Sequence, residues 1–240
     1  MKGWTYLSQI EIRLVPFDNY AITRFIEYRL SQDIMANRKA TDVFHDWAIA
    51  GKDVGMEKGH SSAVSEMLNF IFQEAEKSQK EYTAIDVGCG NGWVVRLLKE
   101  HPLCSLAEGI DGAKAMIEKA KEIDSEGNYY IGQLPEFNPS TRYDMIHSME
   151  FLYYLKDPKS MLKLFFDNWL TENGWLVVGI DHYLEHEESL TWPEYVGVHM
   201  STLSTQEWLD AWRDAGFSNI STWQAGKKGN VTLVIVGQKK

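Results

Sequence analysis

Between Thr83 and His101 the chain passes from an apolar strand pattern through an acidic residue and three alternate glycines into an amphipathic helix pattern. The segment reads Ala84-Ile85-Asp86-Val87-Gly88-Cys89-Gly90-Asn91-Gly92. Glycines in such a loop let the backbone turn sharply and let a ligand approach main-chain atoms without meeting a Cβ. A buried strand feeding that loop into a helix marks the start of a βαβ unit, and therefore a mainly parallel sheet covered by helices. Few other folds accommodate this order of residues.

The rest of the chain repeats the rhythm. Strand patterns cover Thr83–Val87, Ser105–Ile110, Asn128–Gly132, Tyr143–Ser148 and Trp175–Ile180, with helix patterns at Gly92–His101, Ala113–Ile123 and Pro158–Leu170. Asp157 is placed as an N-cap with Pro158 at the first helical position, and Asn173-Gly174 is expected to stop that helix. Ser204 and Glu207 form a capping box before a helix that turns Trp208, Leu209, Trp212 and Ala215 inward and ends at Gly216. Strands Asn219–Gln224 and Val231–Gln238, joined by a short linker, suit an antiparallel hairpin. Ahead of the first strand, Ser61–Lys77 reads as a helix, while Phe44–His60 shows no obvious element. Residues 183–203 are polar and aromatic without periodicity, which predicts an insertion or lid over the site. The organisation is an N-terminal extension, residues 1–40, and one α/β domain, residues 41–240, with a doubly wound sheet.

Composition narrows the function. The 240 residues hold 34 acidic against 24 basic side chains, a formal charge of −10, which opposes nucleic acid or anionic lipid as partner. Two cysteines, Cys89 and Cys104, exclude a disulfide framework and fit a reducing compartment, so a cytoplasmic location is expected. No apolar run reaches the about 18 residues of a membrane span. The N-terminal apolar residues are broken by Glu11 and Arg13, which leaves a structured extension or sequence upstream of a second start at Met35. Ile22, Phe25, Ile26 and Leu30 at helical spacing could cover the site or pair two subunits in a homodimer.

Asp111 ends the second strand, and in a doubly wound sheet its carboxylate would stand beside the glycine loop and accept hydrogen bonds from a ribose. A nicotinamide dinucleotide would use the same carboxylate. Its usual glycine spacing, however, frees helix N-terminal amides for a pyrophosphate. Here the third glycine comes one position early, Trp93 stands in its place, and Asp86 brings negative charge. The zwitterionic methionine part of S-adenosylmethionine tolerates that charge better.

The segment Asp86–Gly92 resembles the first motif of class I S-adenosylmethionine-dependent methyltransferases, and Glu108–Ala113 resembles their acidic second motif. Tyr143–Glu150 and Asn173–Val178 are similar to their fourth and fifth strands, and the likeness runs in order from about Ser61 to Gln238. The resemblance implies a seven-stranded Rossmann-like sheet with an antiparallel last strand. It also implies that Asp86, Gly88, Cys89, Gly90, Asn91 and Gly92 surround the methionine and ribose. Asp111, Gly112, Ala113 and Met116 would serve ribose and adenine, Gly132, Gln133 and Leu134 would flank adenine, and Ser148 and Met149 would close the pocket. Many members carry an acidic residue where Gln133 stands, and a glutamine carbonyl can accept the same adenine bond.

Methyl transfer from a sulfonium asks the protein mainly for alignment and exclusion of water, and needs a base only when the acceptor arrives protonated. Ligands in such sheets sit beyond the strands' carboxyl ends, where Glu150, Tyr153 and Tyr154 follow strand four and Asp181, His182 and Tyr183 follow strand five. Glu150 is therefore a candidate to pair with a cationic acceptor or take its proton, against the plainer reading of a solvated turn carboxylate. His182 is a candidate base, against a structural histidine. Tyr153, Tyr154, Tyr183, Trp192 and Tyr195 could form an aromatic wall for the acceptor, against ordinary packing. Gly55–His60 reads as a cofactor lid or a plain loop. His186, Glu187 and Glu188 have poor spacing for a metal, and none is expected. The reading is methylation of a small molecule. Its competitors are a non-catalytic cofactor-binding partner, a protein methyltransferase and a nicotinamide oxidoreductase.

Overall fold

The computed structural model describes residues 38–226 and 232–240. Residues 1–37 of the extension, with its apolar positions Ile22, Phe25, Ile26 and Leu30, lie outside them, as do Val231 and most of the expected hairpin linker. Seven strands make one sheet: β1 (Tyr82–Val87), β2 (Cys104–Asp111), β3 (Asn128–Ile131), β4 (Tyr143–Met149), β5 (Leu170–Ile180), β6 (Ser218–Ala225) and β7 (Thr232–Gln238), in the order β3-β2-β1-β4-β5-β7-β6. β1 to β5 pair in parallel, and β7 inserts antiparallel between β5 and β6. The doubly wound, Rossmann-like sheet expected from the alternating pattern is what forms.

Helices cover both faces because the central strands are apolar on both. Ile85, Val87, Ile146, Leu176 and Val178 point into one core, under α5 (Pro158–Leu164) and α7 (Thr205–Ala215). Ala84, Val177 and Val234 point into the other, under α2 (Asp53–Ser78), α3 (Trp93–Lys99) and α4 (Lys114–Ile123). The local start signals act as written: Asp157 caps α5 with Pro158 in its first turn, and Ser204 with Glu207 closes the capping box of α7. Leu209 faces inward less than expected; Ala211 joins Trp208, Trp212 and Ala215 as the buried stripe.

Three expectations change. Residues 44–60 are not without an element: α1 (Ala40–Ile49) and the first turns of α2 occupy them, split by Gly51 at φ 73°. Their pattern is weak because α1 buries only Val43 and Ala48 fully, turning other residues toward a cavity, and because Gly55 and Gly59 dilute α2. The second change is at Asn173-Gly174, which does not end a helix. α5 passes into a π turn at Phe165–Trp169 that buries Phe165 and Trp169, and β5 begins at Leu170. Asn173, at φ 68°, makes a kink inside β5, held by paired backbone bonds of 2.9 Å between residues 173–174 and Lys239. Third, residues 183–203 are not wholly irregular: they carry a 3-10 turn at Glu187–Thr191 and a short helix, α6 (Trp192–Val196). Both cysteines are free thiols. Among the described residues no helix is long and apolar enough to cross a membrane.

Candidate active site

β1 has β2 on one side and β4 on the other, so the chain's connections leave in opposite directions there and a crevice opens beyond the carboxyl ends of β1 and β4. The glycine loop borders it. Gly90, at φ 53°, is the open point, since a Cβ built there would meet only Met116 Sδ at 3.9 Å. Gly92 is closed: its φ is 77° and a Cβ would stand 2.4 Å from the Tyr129 ring. Gly92 therefore shapes the turn, whereas Gly90 leaves main chain bare for a ligand.

Asp111 stands against this loop. One carboxylate oxygen accepts from Gly90 N at 2.9 Å and the other from Ala113 N at 2.7 Å. Burial pushes its carboxyl up to about 6, against the pull of those amides and with help from the charge of Asp86. Each oxygen keeps a lone pair, so the group can still accept a pair of hydroxyls. The bare backbone at Gly90 beside this carboxylate fits the ribose of a nucleoside.

One cavity of about 1230 Å³ runs from here past β4. Asp86, Gly88, Cys89, Gly90 and Asn91 line it from the loop, with Asp111, Gly112 and Met116 from the β2–α4 turn. Gly132, Gln133 and Leu134 line it after β3, and Met149 after β4. Three expected residues act from behind: Gly92 shapes the turn, Ala113 holds Asp111, and Ser148 donates its hydroxyl to Val87 O at 2.9 Å, tying β4 to β1. Asp86 has a protein partner that the sequence hides, the fully buried His147, whose Nδ1 lies 2.7 Å away. Asn91 spends its amide on Asp53 (3.2 Å) and Glu57 (3.3 Å), and Lys119 closes on Asp53 at 2.6 Å, so the loop is docked to the start of α2. Gln133 donates its amide nitrogen to Gly112 O at 3.2 Å.

The far end of the cavity is acidic and aromatic. Glu150 sits at φ 56°, a left-handed conformation rare for its type, held by its amide on Gly179 O at 3.0 Å. Its carboxylate accepts from Asp181 N at 2.6 Å and from the Tyr153 hydroxyl. Burial, then the nearby charge of Asp181, holds the Glu150 carboxyl well above the usual range. The Tyr154 hydroxyl lies 3.3 Å from that of Tyr153, and burial pushes both phenols up. Phe44 meets Tyr154 edge-on at 5.2 Å and Trp47 at 5.3 Å. Trp192 and the exposed Tyr195 line the mouth.

His182 and Tyr183 are elsewhere. His182 is fully buried, with Nδ1 on Ser189 O at 3.0 Å and Nε2 on Thr202 Oγ1 at 2.8 Å, and burial lowers its pKa. Both nitrogens are thus spent on holding residues 183–203, and neither faces the cavity. Tyr183 is buried and donates to Gln224 Oε1 at 3.4 Å. The segment expected as a lid, Gly55–His60, is helical, and its Met56, Glu57 and His60 line the cavity. Phe44, Trp47 and His60 were missed as site residues because the pattern around them is neither a strand nor a regular amphipathic helix.

The chain matches the methyltransferase domain family over residues 56–222, more than half its length and inclusive of the glycine loop, Asp111 and Glu150. The chain belongs to this methyltransferase family. A malonyl-[acyl-carrier protein] O-methyltransferase of Ilyobacter polytropus is 33% identical over 84 residues, 33% of this chain and 31% of that protein. The aligned stretch thus spans about a third of that curated relative. The methyltransferase chain of a complex with the Haloferax volcanii Trm112 methyltransferase activator is 24% identical, with a TM-score of 0.69 over 85% of this chain and 99% of that one. The N-methyltransferase NodS of Bradyrhizobium japonicum, in complex with S-adenosylhomocysteine, is 16% identical, with a TM-score of 0.54 over 71% of this chain and 84% of that one. These two share the fold. The match places the chain in the class I S-adenosylmethionine-dependent methyltransferase superfamily.

Proposed function

We propose that this methyltransferase transfers a methyl group to a small-molecule acceptor held in the chamber between Glu150, Tyr154 and Phe44. The observation that carries the reading is the size and continuity of the cavity. Clefts for one drug-sized ligand are about 300–1,000 Å³, and the about 1230 Å³ here extends from Gly90 and Asp111 to Glu150 and Tyr154. There is room for an acceptor beside a nucleoside.

Gly90 would present bare main chain to the methionine part of S-adenosylmethionine, with Gly88 turning the loop beneath Phe151, Asp111 would hold the ribose hydroxyls, and the Gln133 carbonyl would accept from the adenine amine between Met116 and Leu134. Bound there, S-adenosylmethionine supplies an electrophilic methyl carbon: the acceptor lone pair forms the new bond as the C–S bond breaks and its electron pair stays on sulfur. The chain's own part is to orient the acceptor and exclude water, which the aromatic walls suit. Glu150, its carboxyl held well above the usual range by burial, is placed to hold an acceptor proton.

The name of the curated relative suggests a carboxylate acceptor carried on a protein. Glu150 and Asp181 would repel a carboxylate, so that substrate is disfavoured. A non-catalytic partner would have little use for an intact loop, Asp111 and a second chamber. Calorimetry with S-adenosylmethionine and S-adenosylhomocysteine, with NAD as control, tests the cofactor half. Micromolar binding that Asp111→Ala loses is expected, and a preference for NAD would sink the reading. An acceptor screen following S-adenosylhomocysteine release tests the other half. Cofactor bound without turnover of any small molecule would favour the partner or protein-substrate alternatives.

A further inference from the structure

His60 and Glu150 line the proposed acceptor chamber with Asp181 behind them, and each of the three brings a side-chain nitrogen or oxygen within 4.8 Å of the others. Asp181 is only 8% exposed, yet its Oδ1 is buried without a hydrogen-bond partner among the described residues. Its Oδ2 lies 3.7 Å from His60 Nε2, and burial drives His60 toward its neutral form. Arg38, Lys39 and Lys156 also line the cavity, but no lysine or arginine among the described residues comes within 4.0 Å of either carboxylate. Arg38 is paired with Asp46 at 2.5 Å. Two neighbouring acids, Glu150 lining the chamber and Asp181 buried behind it with an unmet acceptor, thus have no lysine or arginine partner among the described residues. Buried carboxylates are ordinarily paired or hydrogen-bonded, and an orphaned one costs more than a pair does.

We infer that the acceptor is an amine, its nitrogen seated on Glu150 with the charge of Asp181 close behind, and its body against Phe44, Trp47 and Tyr154. This rests on the methyltransferase reading above and names the substrate class for that site. An ammonium brings up to three donors, enough for Glu150 and the Tyr154 hydroxyl, while Asp181 adds its charge from behind and aromatic faces attract it further. An alcohol has one donor and no charge, and leaves the second acid uncompensated. Calcium or magnesium could meet the same three atoms, but each prefers six or more oxygen ligands and water over aromatic walls. The balance of the reaction also suits an amine. One proton of the ammonium passes to the Glu150 carboxylate, which frees the nitrogen lone pair for methyl transfer as described. The positive charge then formed on the methylated nitrogen faces Asp181.

The test is calorimetry on the full chain saturated with S-adenosylhomocysteine, using three probes of one shape: 2-phenylethylamine, 2-phenylethanol and 3-phenylpropionate. Charge-assisted hydrogen bonds lead us to expect the amine to bind about tenfold or more tighter than either analogue. The same loss is expected for the amine in Asp181→Asn, with Glu150→Gln as a second variant and unchanged S-adenosylhomocysteine affinity as the control for folding. Equal or weaker binding of the amine than of the alcohol overturns the inference. So does amine binding that neither variant weakens, and so does Mg²⁺ binding alone that His60→Ala abolishes. If S-adenosylhomocysteine itself fails to bind, the methyltransferase reading falls and this inference with it, whereas amine failure on the loaded protein overturns the inference alone.

Discussion

At the scale of single residues, Asp111 and His182 show how burial sets a role. Asp111 titrates near 6 because it is desolvated beside Asp86, and only its ionised form offers two acceptors to a ribose. Its folded pKa is raised, so it gains its proton as pH falls through about 6, and cofactor affinity should fall in the same direction. At pH 5 only about one molecule in eleven is ionised, so S-adenosylhomocysteine should bind about tenfold more weakly than at pH 7.5. Calorimetry at the two pH values checks this, and Asp111→Asn should flatten the dependence. His182 offers the contrast. It lies on the right sheet edge for a base, but both its nitrogens are hydrogen-bonded inside the protein. His182→Ala should cost about 1–3 kcal/mol of stability through the unmet Ser189 and Thr202 partners, measured by urea unfolding, and leave S-adenosylhomocysteine affinity unchanged.

At the scale of elements, the glycine loop and α2 behave as one part. Asn91 reaches across to Asp53 and Glu57, and Lys119 of α4 closes on Asp53, so three separate elements meet in one polar knot. The knot fixes the turn of α2 that carries Met56, Glu57 and His60 into the cavity. Asn91→Ala should release it, at a cost of about 1–3 kcal/mol. Faster hydrogen exchange at residues 53–60 than in β1 is the expected signature, and uniform exchange would count against a local role. Glycine-interrupted helices such as α2 are hard to read from pattern alone, because the helix is retained by these long-range contacts and not by propensity.

At the scale of the molecule, the cavity is built from parts far apart in sequence: α1, the start of α2, the loops after β1, β2, β3 and β4, and α6. A ligand bound among them ties these parts to the folded state and to no other. S-adenosylhomocysteine at a hundredfold over its dissociation constant should therefore stabilise the fold by about 2.7 kcal/mol, a rise of about 5–10 °C in melting temperature for a domain of this size. Thermal unfolding with and without ligand measures it. Asp111→Ala should remove the shift, while the amine probe should add a further one only when the nucleoside is present.

What the sequence determined by itself was whatever depends on neighbours along the chain. The glycine turn, the carboxylate ending β2, the caps of α5 and α7 and the period of each strand are local, and they suffice for the sheet and for the glycine-loop end of the cavity, the proposed nucleoside site. Tertiary structure decided the acceptor end. Glu150 and Asp181 could be named from their places after β4 and β5, but not their meeting: Asp181 lies 31 residues from Glu150, His60 comes from α2, and Phe44 and Trp47 come from a helix whose pattern is blurred by facing a cavity. Likewise, nothing in the sequence distinguished His147, bonded to Asp86, from His182, turned away from the cavity. Burial and charge pairing are properties of three-dimensional neighbours, and here those neighbours lie on different elements.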